Sequence, residues 1–224
     1  MHHPPSPLLD GILAVSFDAG GTLIEPWPTV GHVYAEVAAR HGVIASATVL
    51  NRQFAAAWKA KRNFSHERSE WAALVDASFA GIANPPPSRT FFPEIYDRFA
   101  QPEVWRVYDD VRPCLLALQE RGLRLAVISN WDERLRPLLQ LLGLAKFFDP
   151  IIVSLEVGCP KPGAEIFRRA AELLKYPTNC ILHVGDSANE DVAGARAAGF
   201  RAVLLDRNKG RRARQLAVLT DLSC

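Results

Sequence analysis

The residues able to do chemistry sit where apolar runs stop. Asp18 closes such a run in VSFDAGGTLI, Ser129 and Asn130 close another in ISN, Lys161 lies in GCPKPGAEIF, and Asp186 and Asp191 lie in VGDSANEDVAGARAAG. Singly, each residue type has an ordinary structural use: aspartate before glycine forms turns, serine and asparagine cap local backbone, and a lysine before a helix is commonly solvated. At one edge of one sheet they would act together. Close carboxylates such as Asp18 and Asp186 repel unless a positive charge neutralises them, and two hard oxygens plus waters suit magnesium, which takes few protein ligands. Lys161 adds a compact cation, and Ser129 with the amides that follow offers donors to anionic oxygen. The combination predicts a phosphate group held beside a divalent cation.

Five apolar, strand-length segments must position these residues: 12–17, 123–128, 151–153, 181–184 and 202–205. Most lack polar alternation, as expected where both faces of a parallel sheet are covered. Helical patterns at 112–121, 133–142, 164–175 and 188–198 separate the later segments, bounded by prolines and by glycines such as Gly122, Gly143 and Gly199. The alternation predicts an α/β fold: a Rossmann-like parallel five-stranded sheet with right-handed crossovers, its ligands beyond the carboxyl ends of the strands.

The connection after the first strand is far longer than the others and reads as amphipathic helices at 33–40, 50–61, 71–79 and 92–99. This predicts a disordered N-terminal tail at 1–7, a Rossmann-like core at 8–26 and 108–224, and an inserted all-helical cap domain at 27–107. An insert leaving the carboxyl edge of the sheet is expected to stand over the pocket.

Composition excludes more than it identifies. The chain has 224 residues, 49% of them apolar and 22% charged, with a formal charge of +2. That is an ordinary globular balance, and it names no nucleic-acid partner. The basic group Lys209, Arg211, Arg212 and Arg214 is expected to be a solvated tail. Four scattered cysteines form no Cys-x-x-Cys pair, so neither a zinc site nor a disulfide framework is predicted. No apolar run approaches the ~18 residues of a membrane span, and MHHPPSPLLDG lacks the regions of a signal peptide. A cytoplasmic location is expected, and His2 and His3 are left out of the site.

With these motifs in order, the chain resembles the haloacid dehalogenase superfamily of phosphohydrolases, with a helical cap of the C1 type. FDAGGTL matches the first motif, ISN the second, the lysine of GCPKPGAEIF the third and VGDSANEDVAGARAAG the fourth. The resemblance implies that Asp18 attacks phosphorus to form an aspartyl phosphate and that Ser129, Asn130 and Lys161 hold the phosphoryl oxygens. It implies further that Mg2+ is carried by Asp18, Asp186 and the backbone carbonyl of Gly20, with Asp191 supporting that shell. The expected partner is a small phosphorylated metabolite. Ser187-x-x-Glu190 reads as a capping box opening a helix, and Trp131 either lines the pocket or packs on the core.

One departure stands out. Phosphatases of this family usually carry a second aspartate two positions after the nucleophile, where it protonates the leaving oxygen; here that position is Gly20. Acid-base assistance is worth about 10² to 10⁴ in rate, or about 3 to 5 kcal/mol of barrier. A phosphohydrolase of low or specialised activity is therefore expected, favouring acyl or aryl phosphates, unless His32, His41, His66 or Glu67 of the insert supplies the proton. The alternatives are a phosphate-binding pseudo-phosphatase, a metal-free 2-haloacid dehalogenase, and a phosphonate hydrolase using Lys59 or Lys61 as a Schiff base. Subgroups like the haloacid dehalogenase-like hydrolase domain proteins also depart from the second aspartate.

Overall fold

A computed structural model describes residues 7–61, 64–207, 215–216 and 219–223. His2, His3, the basic group at 209–214 and almost all of the 1–7 tail lie outside the described residues; Pro7 opens a short 3-10 turn, Pro7–Leu9. By internal contacts the chain forms two compact units, Met1–Ile24 with Val107–Cys224, and Glu25–Arg106.

The first unit is built on strands β1 (Ala14–Phe17), β4 (Arg124–Ser129), β5 (Ile151–Val153), β6 (Ile181–Gly185) and β7 (Arg201–Leu205). The chain leaves this unit through β2 (Ile24–Pro26) and returns through β3 (Trp105–Val107), which pair as a separate two-stranded ribbon. All pairings in the main sheet are parallel, in the order β5-β4-β1-β6-β7, and a two-residue strand β8 (Gln215–Leu216) extends it to a sixth. The expected count of five omits β8 because two residues carry no readable periodicity.

Strand β1 is the centre of the sheet, paired with β4 on one side and β6 on the other. Its four residues are all buried, which explains the unbroken apolar run. The chain moves outward from β1 to β4 and β5, then crosses back to β6 and β7. This reversal places the topological switch point at the carboxyl end of β1, the usual location of a ligand crevice.

Helices cover the sheet with apolar faces. In α8 (Ala164–Leu174), Ile166, Phe167, Ala170 and Leu174 are buried against Ala126 and Ile128 of β4 and Ile152 of β5. Helices α5 (Val111–Glu120), α6 (Leu135–Leu141) and α7 (Ser154–Val157) complete the connections as far as α8. The segment read as one helix over 188–198 instead begins as a π-helix, Ala188–Ala193, and continues as α9 (Gly194–Ala197). Ser187 caps it, and its carbonyl accepts from the amides of both Asp191 (3.0 Å) and Val192 (3.2 Å).

The second unit contains α1 (Val30–Arg40), α2 (Ala47–Ala60), α3 (Arg68–Ser78) and α4 (Phe92–Arg98). Its core is aromatic, with Tyr34, Phe79, Phe91, Phe92 and Tyr96 packed with Val37, Leu50 and Ile95. Thr29 caps α1, accepting from the His32 amide at 3.4 Å.

Candidate active site

Four chain segments deliver the site to the carboxyl edge. Asp18 follows β1, Ser129 ends β4, Lys161 lies in the loop between α7 and α8, and Asp186 and Asp191 follow β6. Asp18, Ser129, Lys161 and Asp191 are buried, whereas Asp186 is exposed by its surface.

Asp18 Oδ1 accepts from Ser129 Oγ at 2.9 Å and from Lys161 Nζ at 2.7 Å. Lys161 Nζ also donates to Asp191 Oδ1 at 2.5 Å, so the ammonium bridges two buried carboxylates. Asn130 holds the backbone of the same lysine: its Oδ1 accepts from the Lys161 amide at 2.7 Å and its Nδ2 donates to the Lys161 carbonyl at 2.9 Å. Asp18, Ser129, Asn130, Lys161 and Asp191 are thereby brought into one neighbourhood, and Asn130 fixes the lysine loop.

The electrostatics follow from this arrangement. Burial lowers the Lys161 ammonium, but the charges and hydrogen bonds of Asp18 and Asp191 overcome it and hold the pKa above the usual lysine range. Burial works against ionisation of Asp191 too, yet Lys161 and the His183 hydrogen bond keep it well below the usual carboxylate range. For Asp18 burial prevails and raises the pKa, opposed by Lys161 and Ser129. Asp186, desolvated on its inner side and facing the charges of Asp18 and Asp191, is pushed up to about 7. One buried ammonium thus faces three carboxylates.

Carboxylate oxygens of Asp18, Asp186 and Asp191 all lie within 4.8 Å of one another. The donor set is hard oxygen, suited to Mg2+. The turn after Asp18 shapes the same cradle. Gly21 has φ +76°, and a Cβ there would lie 2.3 Å from Asp186 Oδ2, so the second glycine is required both by conformation and by close approach. The amides of Thr22, Leu23 and Ile24 all turn toward the Ala19 carbonyl rather than that of Gly20.

Two residues of this network were not singled out from the sequence. His183, buried in β6, has Nε2 at 3.1 Å from Asp191 Oδ1 and Nδ1 at 2.9 Å from Ser16 Oγ in β1. A carboxylate can only accept, so Nε2 carries the proton. Burial holds this imidazole below the usual histidine pKa, so Nδ1 accepts from the Ser16 hydroxyl. The available signal was a polar residue inside each of two apolar strands, at positions paired in register.

We expect His183→Leu, which strips Asp191 and Ser16 of this partner, to destabilise the fold by about 1–3 kcal/mol, measured by urea unfolding. In the wild type the imidazole should be less charged at pH 6.5 than an exposed histidine, as read from ¹⁵N shifts. Because the folded pKa is lowered, stability should be lost as pH falls below the unfolded value of about 6.5.

The capping box is only half formed. Ser187 Oγ accepts from the Glu190 amide at 3.1 Å, but the Ser187 amide donates to Asp191 Oδ2 at 2.9 Å rather than to Glu190. In the wider π-helical turn the next residue, Asp191, reaches back. Glu190 Oε2 instead accepts from Asn130 Nδ2 at 3.1 Å. Trp131 is half-buried, with Cζ3 of its six-membered ring 3.2 Å from where a Cβ on Gly20 would stand.

In the helical unit, His41 Nε2 pairs with Glu94 Oε2 at 2.7 Å, His32 Nδ1 lies 2.7 Å from Thr29 Oγ1, and His66 is buried against Phe64 and Trp71. Lys61 Nζ stands 3.7 Å over the Trp58 ring. Each has a local structural role.

A parallel α/β sheet interrupted after β1 by a helical insertion, with aspartates, a serine and a lysine at its carboxyl edge, defines a hydrolase class. The chain belongs to the haloacid dehalogenase-like hydrolases, whose family model matches residues 12–199. Among individual proteins it is similar to haloacid dehalogenase-like hydrolase domain-containing protein 3 of Mus musculus, 34% identical over 203 residues, covering 85% of this chain and 80% of that protein. It is also similar to a HAD phosphatase from Thermococcus onnurineus, with a TM-score of 0.69 and 26% identity over 94% of this chain and 96% of that one. The fold is shared with YfnB of Bacillus subtilis, crystallised bound to magnesium, with a TM-score of 0.74 and 18% identity over 94% of this chain and 96% of that one. No helix among the described residues is long and apolar enough to cross a membrane.

Proposed function

We propose that the chain is a magnesium-dependent phosphohydrolase acting on a small phosphorylated metabolite, with residues 8–26 and 108–224 as catalytic core and 27–107 as cap. The observation that carries this is the pinning of Asp18 Oδ1 by Ser129 and Lys161 beside the carboxylates of Asp186 and Asp191. All the Asp18 side-chain contacts described above fall on Oδ1, so Oδ2 is the oxygen assigned to attack phosphorus. The new O–P bond forms as the bond to the leaving oxygen breaks with its electron pair, and water then attacks phosphorus, releasing phosphate and restoring Asp18. An ammonium has three donors; two of those on Lys161 serve Asp18 and Asp191, and the third is assigned to a phosphoryl oxygen. The Ser129 hydroxyl has one proton, given to Asp18 Oδ1 in this structure, and its assigned contact with a phosphoryl oxygen requires it to turn from that carboxylate. Asp18, Asp186 and the Gly20 carbonyl would hold Mg2+, supported by Asp191; when bound, the ion supplies the positive charge that lets carboxylates and phosphate share one pocket.

The test is turnover of acetyl phosphate, an aryl phosphate and an alkyl phosphate, with and without magnesium. Turnover lost in EDTA is expected. The apparent magnesium affinity should weaken as pH falls below about 7, because Asp186 must lose its proton to bind. Activity indifferent to EDTA, with halide released from a 2-haloacid, would replace the assignment by the dehalogenase. Tight phosphate binding without turnover would leave a pseudo-phosphatase.

Gly20 supplies no acid, so alkyl phosphates should be poor substrates. Gly20→Asp is expected to raise alkyl phosphate turnover by about tenfold or more. Its Cβ meets Trp131 at 3.2 Å, so the ring must give by a few tenths of an ångström, and pairing it with Trp131→Leu should raise the gain. An unchanged rate in both variants would assign proton delivery to another group.

A further inference from the structure

The space beside Gly20 is filled by an indole. Trp131 Cζ3 and Cη2 lie 3.2 Å and 3.9 Å from the position of a Cβ on Gly20, so the ring borders the backbone two residues beyond Asp18. Trp131 also follows Ser129 and Asn130 directly in sequence, which ties it to the same pocket from the β4 side. Its backbone is fixed. The Trp131 amide donates to Ser154 Oγ at 3.0 Å, and its carbonyl accepts from the Ser154 hydroxyl at 3.1 Å and the Leu155 amide at 3.2 Å. The residue is only half-buried, and its indole sets an apolar, polarisable group beside a site otherwise made of charges.

We propose that Trp131 is a specificity-determining residue, an aromatic platform that receives the planar leaving group of aryl phosphates. This rests on the phosphohydrolase assignment above and names its substrate class. Two physical effects converge on that class. A ring against Trp131 gains offset or edge contact beyond simple burial. A phenol, with a pKa of about 10, also departs as phenolate without the proton that an alkoxide demands, since water itself ionises only near about 15.7. In the chemical step the phosphorus–oxygen bond to the aryl group breaks, the electron pair leaves on phenolate, and Asp18 takes the phosphoryl group. The bare Cα of Gly20 admits the Trp131 indole, and the side chain missing there favours a leaving group that needs no proton.

Binding of phenylphosphonate and methylphosphonate, neither of which can be hydrolysed at its phosphorus–carbon bond by this chemistry, tests the proposal in the presence of magnesium by calorimetry. The wild type should bind phenylphosphonate about fivefold or more tightly than methylphosphonate. Trp131→Phe should retain the preference, and Trp131→Leu should bring the two affinities within about twofold. The wild-type protein gives a second readout that no substitution can disturb: the Trp131 indole resonances should shift more with phenylphosphonate than with methylphosphonate. Equal affinities in the wild type, an unchanged preference in Trp131→Leu, or indole resonances that respond alike to both compounds would overturn the proposal while leaving the phosphohydrolase assignment standing. If neither phosphonate binds, that assignment falls and the platform with it.

Discussion

Asp18→Asn should reduce magnesium-dependent phosphate release by at least about 10⁴-fold, as removal of a nucleophile does elsewhere. The substitution is nearly isosteric, and the amide oxygen can still accept from Ser129 Oγ and Lys161 Nζ, which now meet Asp18 Oδ1 at 2.9 Å and 2.7 Å. The fold should therefore survive, and a melting temperature within a few degrees of wild type would separate a chemical from a structural loss. A labelled phosphoryl group trapped on residue 18 by acid quenching of the wild type, and missing from the variant, is the direct check. Residual turnover within tenfold of wild type would show that attack comes from elsewhere.

The second large effect should come from Lys161→Met, and here stability and activity fail together. The lysine side chain is 1% exposed and lies between Asp18 and Asp191. Methionine matches its length but leaves two buried carboxylates with no countercharge, a change that costs about 3–5 kcal/mol when one partner of a buried ion pair is removed. In a chain of this size that corresponds to a melting temperature lower by roughly 10 °C. The sign of the pH dependence follows. Without the ammonium, the folded-state pKa of Asp18, already raised by burial, rises further and that of Asp191 goes above its unfolded value, so acid protonates both preferentially in the folded state. The deficit relative to wild type should shrink toward pH 5 and grow toward pH 8. A variant as stable as wild type at pH 8 would contradict the role given to the ammonium.

His183 and Asp191 join these two effects into one network. Asp191 touches Lys161, His183 and the Ser187 amide, so it connects the lysine to β6 and to the start of the π-helix. Its two oxygens are committed to protein partners. That is why Asp191 is assigned to support the metal shell, while Asp186, exposed and crowded, is assigned as a ligand.

The sequence by itself determined the sheet and set the candidate site residues at the ends of its strands. Unbroken apolar runs marked β1, β4, β5, β6 and β7, because a strand covered on both faces has no polar side to show. Helices ended at glycines, and Asp18, Ser129 and Asp186 stood where strands must stop. These are local facts, readable within a few residues.

Only the tertiary structure decided the partnerships. Ser16 meets His183 because β1 and β6 pair in that register across 167 residues of sequence. Asp191, not Glu190, closes the turn at Ser187, because the π winding brings the later residue back. Trp131 occupies the space beside Gly20 because β1 and β4 lie side by side and the residues following them share one edge. The physical reason is common to all three: covalent neighbours set local conformation, whereas register, burial and the shape left by a missing side chain emerge only when distant segments pack.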